Sequence, residues 1–292
     1  MQVSSRVPQQ YDNMSIGDYL AARFTYQTAV SWQKWVQAGS VWRNGQLATV
    51  ETLVFAGDEV ACEVPEFEQP VVNFDYQIVY EDEWLLGVNK PSNLRVHGNG
   101  RFTQANLIYH LRQHHCPTAD LVNRLDAQTS GVVVVAKDKA TLRLLHHAFQ
   151  AQQVEKTYLA LVAGVPKVAA GIMDWSLAKQ NPGERFSPFM AVEKGDKRGK
   201  MAVTHYKVRQ VQDSYSRVEL KPKSGRTHQL RVHMAALGHP ILGDLLYNPN
   251  PKSASRLALH CLETQFQHPH TQQICTIHAP LPKNWPVIVS AD

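Results

Sequence analysis

The sequence of 292 residues predicts an α+β protein built around a large mixed sheet and divided into two regions. After residue 75, helix and strand patterns follow each other irregularly, which does not fit the regular βαβ winding of an α/β fold. Residues 64–70 contain two prolines and two acids and separate this part from a smaller one. Proline lacks a backbone donor and restricts the preceding residue, so an extended linker is expected there. We place the linker at 65–74, between regions at 1–64 and 75–285.

Composition narrows the class of protein. Hydrophobic residues make up 43% of the chain, enough for a sizeable core, and the net charge of +5 is compatible with RNA binding without proving it. The four cysteines form no Cys-x-x-Cys pair, and no apolar stretch at the N-terminus resembles a secretory signal. No apolar run approaches the length of about 20 residues that spans a bilayer. These features predict a cytoplasmic protein with reduced thiols and no membrane segment.

The first region reads as two short helices followed by a hairpin. Ser15 is a candidate N-cap, the second helix ends at Gly39, and Asn44-Gly45 is typical of a tight hairpin turn. A further turn at Gly57-Asp58 leads into a strand at 59–63. This order resembles the small RNA-binding module first known from a ribosomal small-subunit protein (the S-four type). The alternative is an unrelated small α+β domain.

The second region supplies the elements of the larger domain. Strands are predicted at 85–90, 132–136 and 158–162. Helices are predicted after Thr103 and Asp138, each of which is a candidate N-cap. A last helix is predicted at 227–237, closed by Gly238.

The sharpest motif is the segment 123–131, Asn-Arg-Leu-Asp-Ala-Gln-Thr-Ser-Gly, which leads directly into an apolar strand. A carboxylate at such a strand edge, here Asp126, lies near the core but remains open to a cleft, as a catalytic carboxylate must. From spacing alone, a simple turn cap at Asp126 is the favoured interpretation.

The segment 123–131 resembles the hallmark of the RluA family of pseudouridine synthases, usually His-Arg-Leu-Asp, two variable residues, then Thr-Ser-Gly. At position 123 this chain has Asn, where the family usually has His. Further motifs of that family occur in order over roughly residues 75–285. They are Lys90-Pro91 with His97, then Lys156–Val162, Ser224–His233, Gly238–Asp244 and Leu257–His260.

The resemblance implies an isomerase that converts uridine to pseudouridine in RNA, on a mixed, mainly antiparallel sheet flanked by helices. It implies no cofactor and no metal, an RNA substrate, and no evident obligatory protein partner. The N-terminal module favours ribosomal over transfer RNA as that substrate.

The resemblance also implies roles for individual residues. Asp126 matches the catalytic aspartate, which attacks the sugar or the uracil or takes a sugar proton. Arg226 matches the arginine paired with it, and Tyr158 the active-site tyrosine that stacks on uracil and whose hydroxyl takes the proton from carbon 5. Arg124 matches the arginine that fills the place of the flipped base. Leu230, four residues after Arg226, is expected on the same helix face, as a wall of the uracil pocket.

Further substrate contacts are expected at Asn123, Thr129, Lys90 and His228. Lysines and arginines at 221–231 and 194–209 are candidates for contacts with the phosphate backbone, although such charge runs are often only solvated faces.

Two other classes of function remain as alternatives. An inactive synthase homologue that binds RNA or assists ribosome assembly is supported only by Asn123. A metal-dependent hydrolase would use His110 and His114, four residues apart on a predicted helix, but the sequence places no third ligand.

Overall fold

The computed structural model describes residues 2–25, 27–63, 70–98, 102–184, 187–212 and 214–286. The chain forms two compact units, one comprising 1–70 with 98–104 and the other 71–97 with 105–292. Of the predicted linker, 65–69 lies outside the described residues, and 70–74 forms neither helix nor strand.

The first unit contains two helices and six short strands in the part that the structure describes. In chain order they are β1 (Gln2–Arg6), β2 (Met14–Ser15), α1 (Ile16–Arg23), α2 (Ala29–Gln37), β3 (Val41–Arg43), β4 (Gln46–Leu47), β5 (Leu53–Val54) and β6 (Glu59–Glu63). The strands are arranged in the order β1-β6-β3-β4, with β2 and β5 as a separate pair.

Local sequence accounts for these elements. The Ser15 side chain accepts from the Asp18 N–H at 3.2 Å and caps α1, as predicted. Gly39, with φ of 71°, ends α2. Asn44 and Gly45 both have positive φ, 49° and 79°, as a tight hairpin turn between β3 and β4 requires. The predicted helix pair and hairpin are therefore confirmed.

The second unit carries the remaining strands and helices. They are β7 (Gln77–Glu81), β8 (Leu85–Lys90), α3 (Leu107–His114), β9 (Asp120–Leu121), β10 (Ser130–Ala136), α4 (Lys139–Gln150), β11 (Glu155–Ala163), β12 (Ala170–Met173), β13 (Ser176–Lys179), β14 (Phe189–Val192), β15 (Thr204–Gln212), β16 (Tyr215–Pro222), α5 (Gln229–Ala236), β17 (Leu259–Gln267) and β18 (Ile274–His278).

Ten described strands of this unit form one sheet, in the order β12-β15-β16-β11-β17-β10-β8-β7, with β18 beside β17 and β9 beside β10. Within the described strands, the pairing of β10 with β17 is the parallel one, at Ser130–His260 and Gly131–Cys261, and the others are antiparallel. The predicted α+β class with a mixed, mainly antiparallel sheet is confirmed. Strand β17 joins the half of the sheet that contains β11 to the half that contains β10.

The core of this unit is centred on β10, in which every residue is buried. A run of four valines suits a strand covered on both faces. Asp138 caps α4 as predicted, accepting from the N–H groups of Ala140 and Thr141 at 2.8 and 2.9 Å. The predicted cap at Thr103 is wrong, because α3 begins only at Leu107 and Asn106 accepts from the Tyr109 N–H at 3.1 Å.

The last helix, α5, starts two residues later than predicted. His228 precedes it in the left-handed region, with φ of 56° and ψ of 17°, so the backbone at His228 is not helical. Gly238, with φ of 89°, follows its C-terminal end as expected. Arg226 lies before this helix and Arg231 lies on it.

Candidate active site

Asp126 lies on the loop between β9 and β10. The Thr129 N–H donates to the Asp126 carbonyl at 3.1 Å, which closes the loop as a turn. Leu125 and Thr129 are buried on either side, at 7% and 2% exposure. The Asp126 side chain is 30% exposed, so its carboxylate reaches solvent from an otherwise anchored turn.

Lys90, at the end of β8, fastens this loop from inside. Its ammonium donates to three backbone carbonyls, those of Pro91 at 2.9 Å, Leu94 at 2.8 Å and Ala127 at 3.0 Å. Burial lowers the pKa of Lys90 to about 7, and the Asp126 carboxylate opposes this change. Because Lys90 has no exposed surface, its expected substrate contact is corrected to an internal role. It orients the residue that follows Asp126.

Arg231 of α5 is the guanidinium that faces Asp126. Its Nη1 lies 3.6 Å from Asp126 Oδ2, and the Arg231 side chain is 2% exposed. On its other side, Nε and Nη2 donate to the two oxygens of Asp244 at 2.8 and 2.7 Å. Burial alone would raise the pKa of Asp244, but the hydrogen bonds and charge of Arg231 outweigh it and the pKa is lowered. The bidentate bond to a charged partner fixes the orientation of Arg231.

Arg226, which the resemblance assigned to this place, lies elsewhere. It is exposed, and its Nε donates to the Met201 carbonyl at 3.1 Å. Because α5 begins at Gln229, Arg226 is not on the helix, and the expected shared face with Leu230 is wrong as well. Leu230 is 6% exposed and packs in the core cluster of this unit. The signal for Arg231 was present in the sequence, since it is the second arginine of the same motif.

Tyr158 lies on β11 opposite Cys261 of β17, where the register of the two strands shifts. The residue is 8% exposed. Burial raises the pKa of Tyr158 well above 10, and the Cys261 thiol and the Asp126 carboxylate raise it further. Tyr158 therefore keeps its proton at neutral pH, and its pKa responds to the charge of Asp126.

Asn123 and Arg124 precede Asp126 and play different parts. Asn123 Oδ1 accepts from the Val134 N–H of β10 at 2.7 Å, so the amide side chain ties the loop to the central strand. Arg124 is exposed. Burial lowers the pKa of His97, and the positive charges of Arg124 and Arg95 lower it further.

His228 approaches Asp126 from the start of α5. Its Nε2 lies 4.0 Å from Asp126 Oδ2, and its Nδ1 is hydrogen-bonded to the Tyr247 hydroxyl at 2.8 Å. Burial lowers the pKa of His228, which favours the neutral ring. No sequence pattern had singled out Tyr247, which lies in a turn after Asp244.

The histidines of α3 have other partners. His110 stacks on Phe74 with ring centroids 4.2 Å apart, and its Nδ1 is hydrogen-bonded to the Tyr76 hydroxyl at 2.9 Å. Over the described residues, no group of three or more His, Cys, Asp or Glu side chains is arranged to hold a metal ion. Among the described helices, none combines the length and apolar character needed to cross a bilayer.

Asp126, Arg231 and Tyr158 thus bring an anchored carboxylate, a fixed cation and a protonated phenol together beside an exposed arginine. Such a carboxylate can act as a nucleophile or a base, and the guanidinium favours its charged form. The phenol offers a flat ring for a planar ligand.

Comparison with known proteins agrees with this geometry. The family model described as RNA pseudouridylate synthase matches residues 85–236. The chain is 35% identical over 282 residues to ribosomal large subunit pseudouridine synthase D of Pasteurella multocida, covering 88% of this chain and 84% of the relative. Identity to the protein of the same name from Haemophilus influenzae is 32%, over 99% of this chain and 94% of the relative.

A solved structure has the same fold. Human RNA pseudouridylate synthase domain containing 1 superimposes with a TM-score of 0.62 at 28% sequence identity. The match covers 77% of this chain and 94% of the human chain.

Proposed function

The chain belongs to the RNA pseudouridylate synthase family, and we propose that its target is a uridine in the ribosomal RNA of the large subunit. The reaction of the family is the isomerisation of uridine in RNA to pseudouridine. Support for the target comes from the two relatives named as large-subunit synthases, one of which aligns over 99% of this chain.

The reaction breaks the bond between ribose carbon 1′ and uracil nitrogen 1, rotates the base, and forms a bond from carbon 1′ to carbon 5. Carbon 5 loses one proton and nitrogen 1 gains one, so no oxidant or other co-reactant is consumed. The observation that carries the proposal is the Asp126 carboxylate beside the buried Arg231 guanidinium. We assign Asp126 as the catalytic carboxylate, in any of three roles: attack on the sugar, attack on the uracil, or removal of a sugar proton.

The neighbouring residues would receive the base. A uridine in structured RNA must leave its stack to reach Asp126, at a cost of a few kcal/mol. Exposed Arg124, two residues from Asp126, is the candidate to occupy the vacated place. Tyr158 supplies a ring for stacking against the uracil and a hydroxyl for proton transfer at carbon 5.

Cations that have no acid partner are proposed to hold the phosphate backbone. Lys194, Arg198 and Arg209 are already paired with Asp174, Asp196 and Glu219. A second group of cations is exposed and takes part in no ion pair with the described residues. Its members are Lys197, Lys200, Lys207, Lys221, Lys223 and Arg226. Such cations bind RNA by displacing counterions.

The N-terminal region and the cellular compartment are also part of the proposed function. Residues 1–64 serve as an RNA-binding module of the S-four type, and the protein works in the cytoplasm, where ribosomes of its bacterial relatives are assembled. The inactive-homologue alternative depended on Asn123. That side chain is a hydrogen-bond acceptor for β10 in the structure, which is compatible with a working loop.

The proposal is tested by mapping pseudouridine in total RNA from wild-type cells and a deletion strain. The deletion strain is also complemented with the wild-type protein or with Asp126→Asn. We expect one large-subunit site to disappear on deletion and to return with the wild-type protein alone. A site that returns equally well with Asp126→Asn would refute the catalytic assignment, and a lost site in transfer RNA would refute the proposed target.

A further inference from the structure

His228 joins Asp126 to a second hydrogen-bonded residue, Tyr247. The imidazole lies between them, with Nδ1 2.8 Å from the Tyr247 hydroxyl and Nε2 4.0 Å from Asp126 Oδ2. Phe189 adds a third link, because its backbone N–H donates to the Tyr247 oxygen at 3.0 Å. A chain of polar groups therefore runs from β14 to the candidate catalytic carboxylate.

This chain determines which ring nitrogen carries the proton. A backbone N–H can only donate, so Tyr247 accepts from Phe189 and retains one hydroxyl proton to donate. His228 Nδ1 is the acceptor within reach, and a hydroxyl that already accepts one bond is a stronger donor. In a neutral imidazole with Nδ1 as acceptor, the proton resides on Nε2. The N–H of His228 then faces Asp126.

The guanidinium of Arg231 and the imidazole of His228 both approach the same carboxylate oxygen of Asp126. Arg231 Nη1 is 3.6 Å and His228 Nε2 is 4.0 Å from Oδ2. Across the described residues, no hydrogen bond engages Oδ1, and the contacts of Arg231 and His228 given above end on Oδ2. Both contacts are longer than a hydrogen bond, so they attract Oδ2 through charge and dipole and favour a carboxylate orientation in which Oδ2 faces α5.

We propose that His228 is a positioning residue: held in one tautomer by Tyr247, it secures Asp126 Oδ2 together with Arg231 and so directs Oδ1 at the uridine. This inference rests on the proposed catalytic role of Asp126. It replaces the substrate contact that the sequence suggested for His228.

Two substitutions of His228 distinguish a role as N–H donor to Asp126 from a purely structural role in the turn. Glutamine places its side-chain amide near the position of Nε2, whereas asparagine places it near Nδ1. His228→Gln therefore keeps a donor for Asp126, and His228→Asn keeps only the partner of Tyr247. The backbone conformation favours the opposite variant. His228 has φ of 56°, and asparagine tolerates this left-handed region better than glutamine does, so His228→Asn should be the more stable of the two. Stability and turnover should consequently rank the two variants in opposite orders.

The assay measures tritium released from carbon 5 of uridine, using large-subunit ribosomal RNA isolated from the deletion strain grown with tritiated uridine. We expect His228→Asn to lower kcat about tenfold or more with KM unchanged, because the N–H that faces Asp126 is lost and the carboxylate is oriented less well for reaction. His228→Gln should lose no more than about threefold. Tyr247→Phe, which frees the tautomer without touching the imidazole, should lower kcat by an intermediate factor. His147→Asn, on exposed α4, is the matched control.

Several outcomes would overturn the inference. They are wild-type turnover in His228→Asn, a change confined to KM, or a loss in His228→Gln equal to or larger than that in His228→Asn. If His228→Gln does not fold, wild-type kcat in Tyr247→Phe overturns it instead. Failure of the proposed function is distinct, because then the wild-type protein releases no more tritium than Asp126→Asn.

Discussion

Replacing Asp244 by asparagine would remove the charge that holds Arg231 in place. Asp244 and Arg231 are 1% and 2% exposed and share two hydrogen bonds of 2.7 and 2.8 Å. Asparagine has the same shape but offers one acceptor and turns an N–H₂ group toward the guanidinium. Arg231 would then be a buried cation whose remaining carboxylate neighbour, within the described part of the chain, is Asp126 at 3.6 Å.

The expected cost follows from this geometry. Removing one partner of a buried ion pair typically costs about 3–5 kcal/mol, because the other charge is left without compensation. Asp126 compensates in part, so we expect the free energy of unfolding to fall by about 3 kcal/mol, at the lower end. For a folded unit of this size, that corresponds to a fall in Tm of roughly 6–12 °C. Turnover should fall about tenfold, because Arg231 is no longer oriented toward Asp126.

The difference should depend on pH. In the folded protein the pKa of Asp244 lies below its ordinary value of 3.8. The stability that this carboxylate contributes is therefore fully present above the pKa of the unfolded chain, and it is lost as pH falls through the pKa of the folded protein. Wild type and Asp244→Asn should therefore differ most at neutral pH and converge in acid. Urea unfolding followed by circular dichroism at several pH values measures this, and tritium release measures turnover.

The control uses the same substitution in an exposed ion pair. Asp174 lies 3.0 Å from Lys194, and the two side chains are 48% and 65% exposed. Such pairs contribute about 0–1 kcal/mol, so Asp174→Asn should be nearly neutral. The reasoning is refuted if Asp244→Asn is as stable as Asp174→Asn at neutral pH.

Three further predictions concern the sheet, the phenol and the RNA surface. Gly131→Ala should destabilise the protein by at least about 3 kcal/mol in urea unfolding, since φ is 111° and the new Cβ would clash with the Cys261 carbonyl. Gly183→Ala, with open space around it, should be neutral. Tyr158→Phe should keep KM but lower kcat about 10²-fold or more in the tritium assay, and near-wild-type kcat would remove the hydroxyl from the chemistry. The double substitution Lys221→Ala and Lys223→Ala should weaken RNA binding and reduce the slope of log binding constant against log salt concentration by roughly 1.4–1.8. The control Lys139→Ala should leave the slope unchanged. An unchanged slope in the double variant would exclude contact of these lysines with phosphate.

Local chemistry made much of the fold predictable. The valine run of β10, the Asp138 cap and the Asn44-Gly45 turn each act over a few residues, and all appear where the sequence places them. The start of α5 could not be read in this way, because it depends on the left-handed backbone at His228. The arginine beside Asp126 is Arg231, whereas Arg226 bonds to the Met201 carbonyl.

The site was predictable where its residues lie within one motif and unpredictable where they come from distant segments. Asp126 and its turn were identified from their own stretch of sequence. The sequence singled out Lys90 as a substrate contact, but its ammonium is buried and bonds to three backbone carbonyls that the sequence pattern did not indicate. Tyr247 and Asp244 act only through side chains that tertiary packing brings to them.

The central place of β17 affects when the enzyme can first act during synthesis. Asp126 precedes β10 in one half of the sheet, Tyr158 lies on β11 in the other half, and β17 at Leu259–Gln267 lies between β10 and β11. A nascent chain that has left the ribosome only as far as about residue 255 has both halves of the site but no strand to unite them. Pairings so distant along the chain form late. We therefore expect the Asp126 carboxylate and the Tyr158 phenol to come together only after β17 has been made, so that a chain ending near residue 255 modifies no RNA.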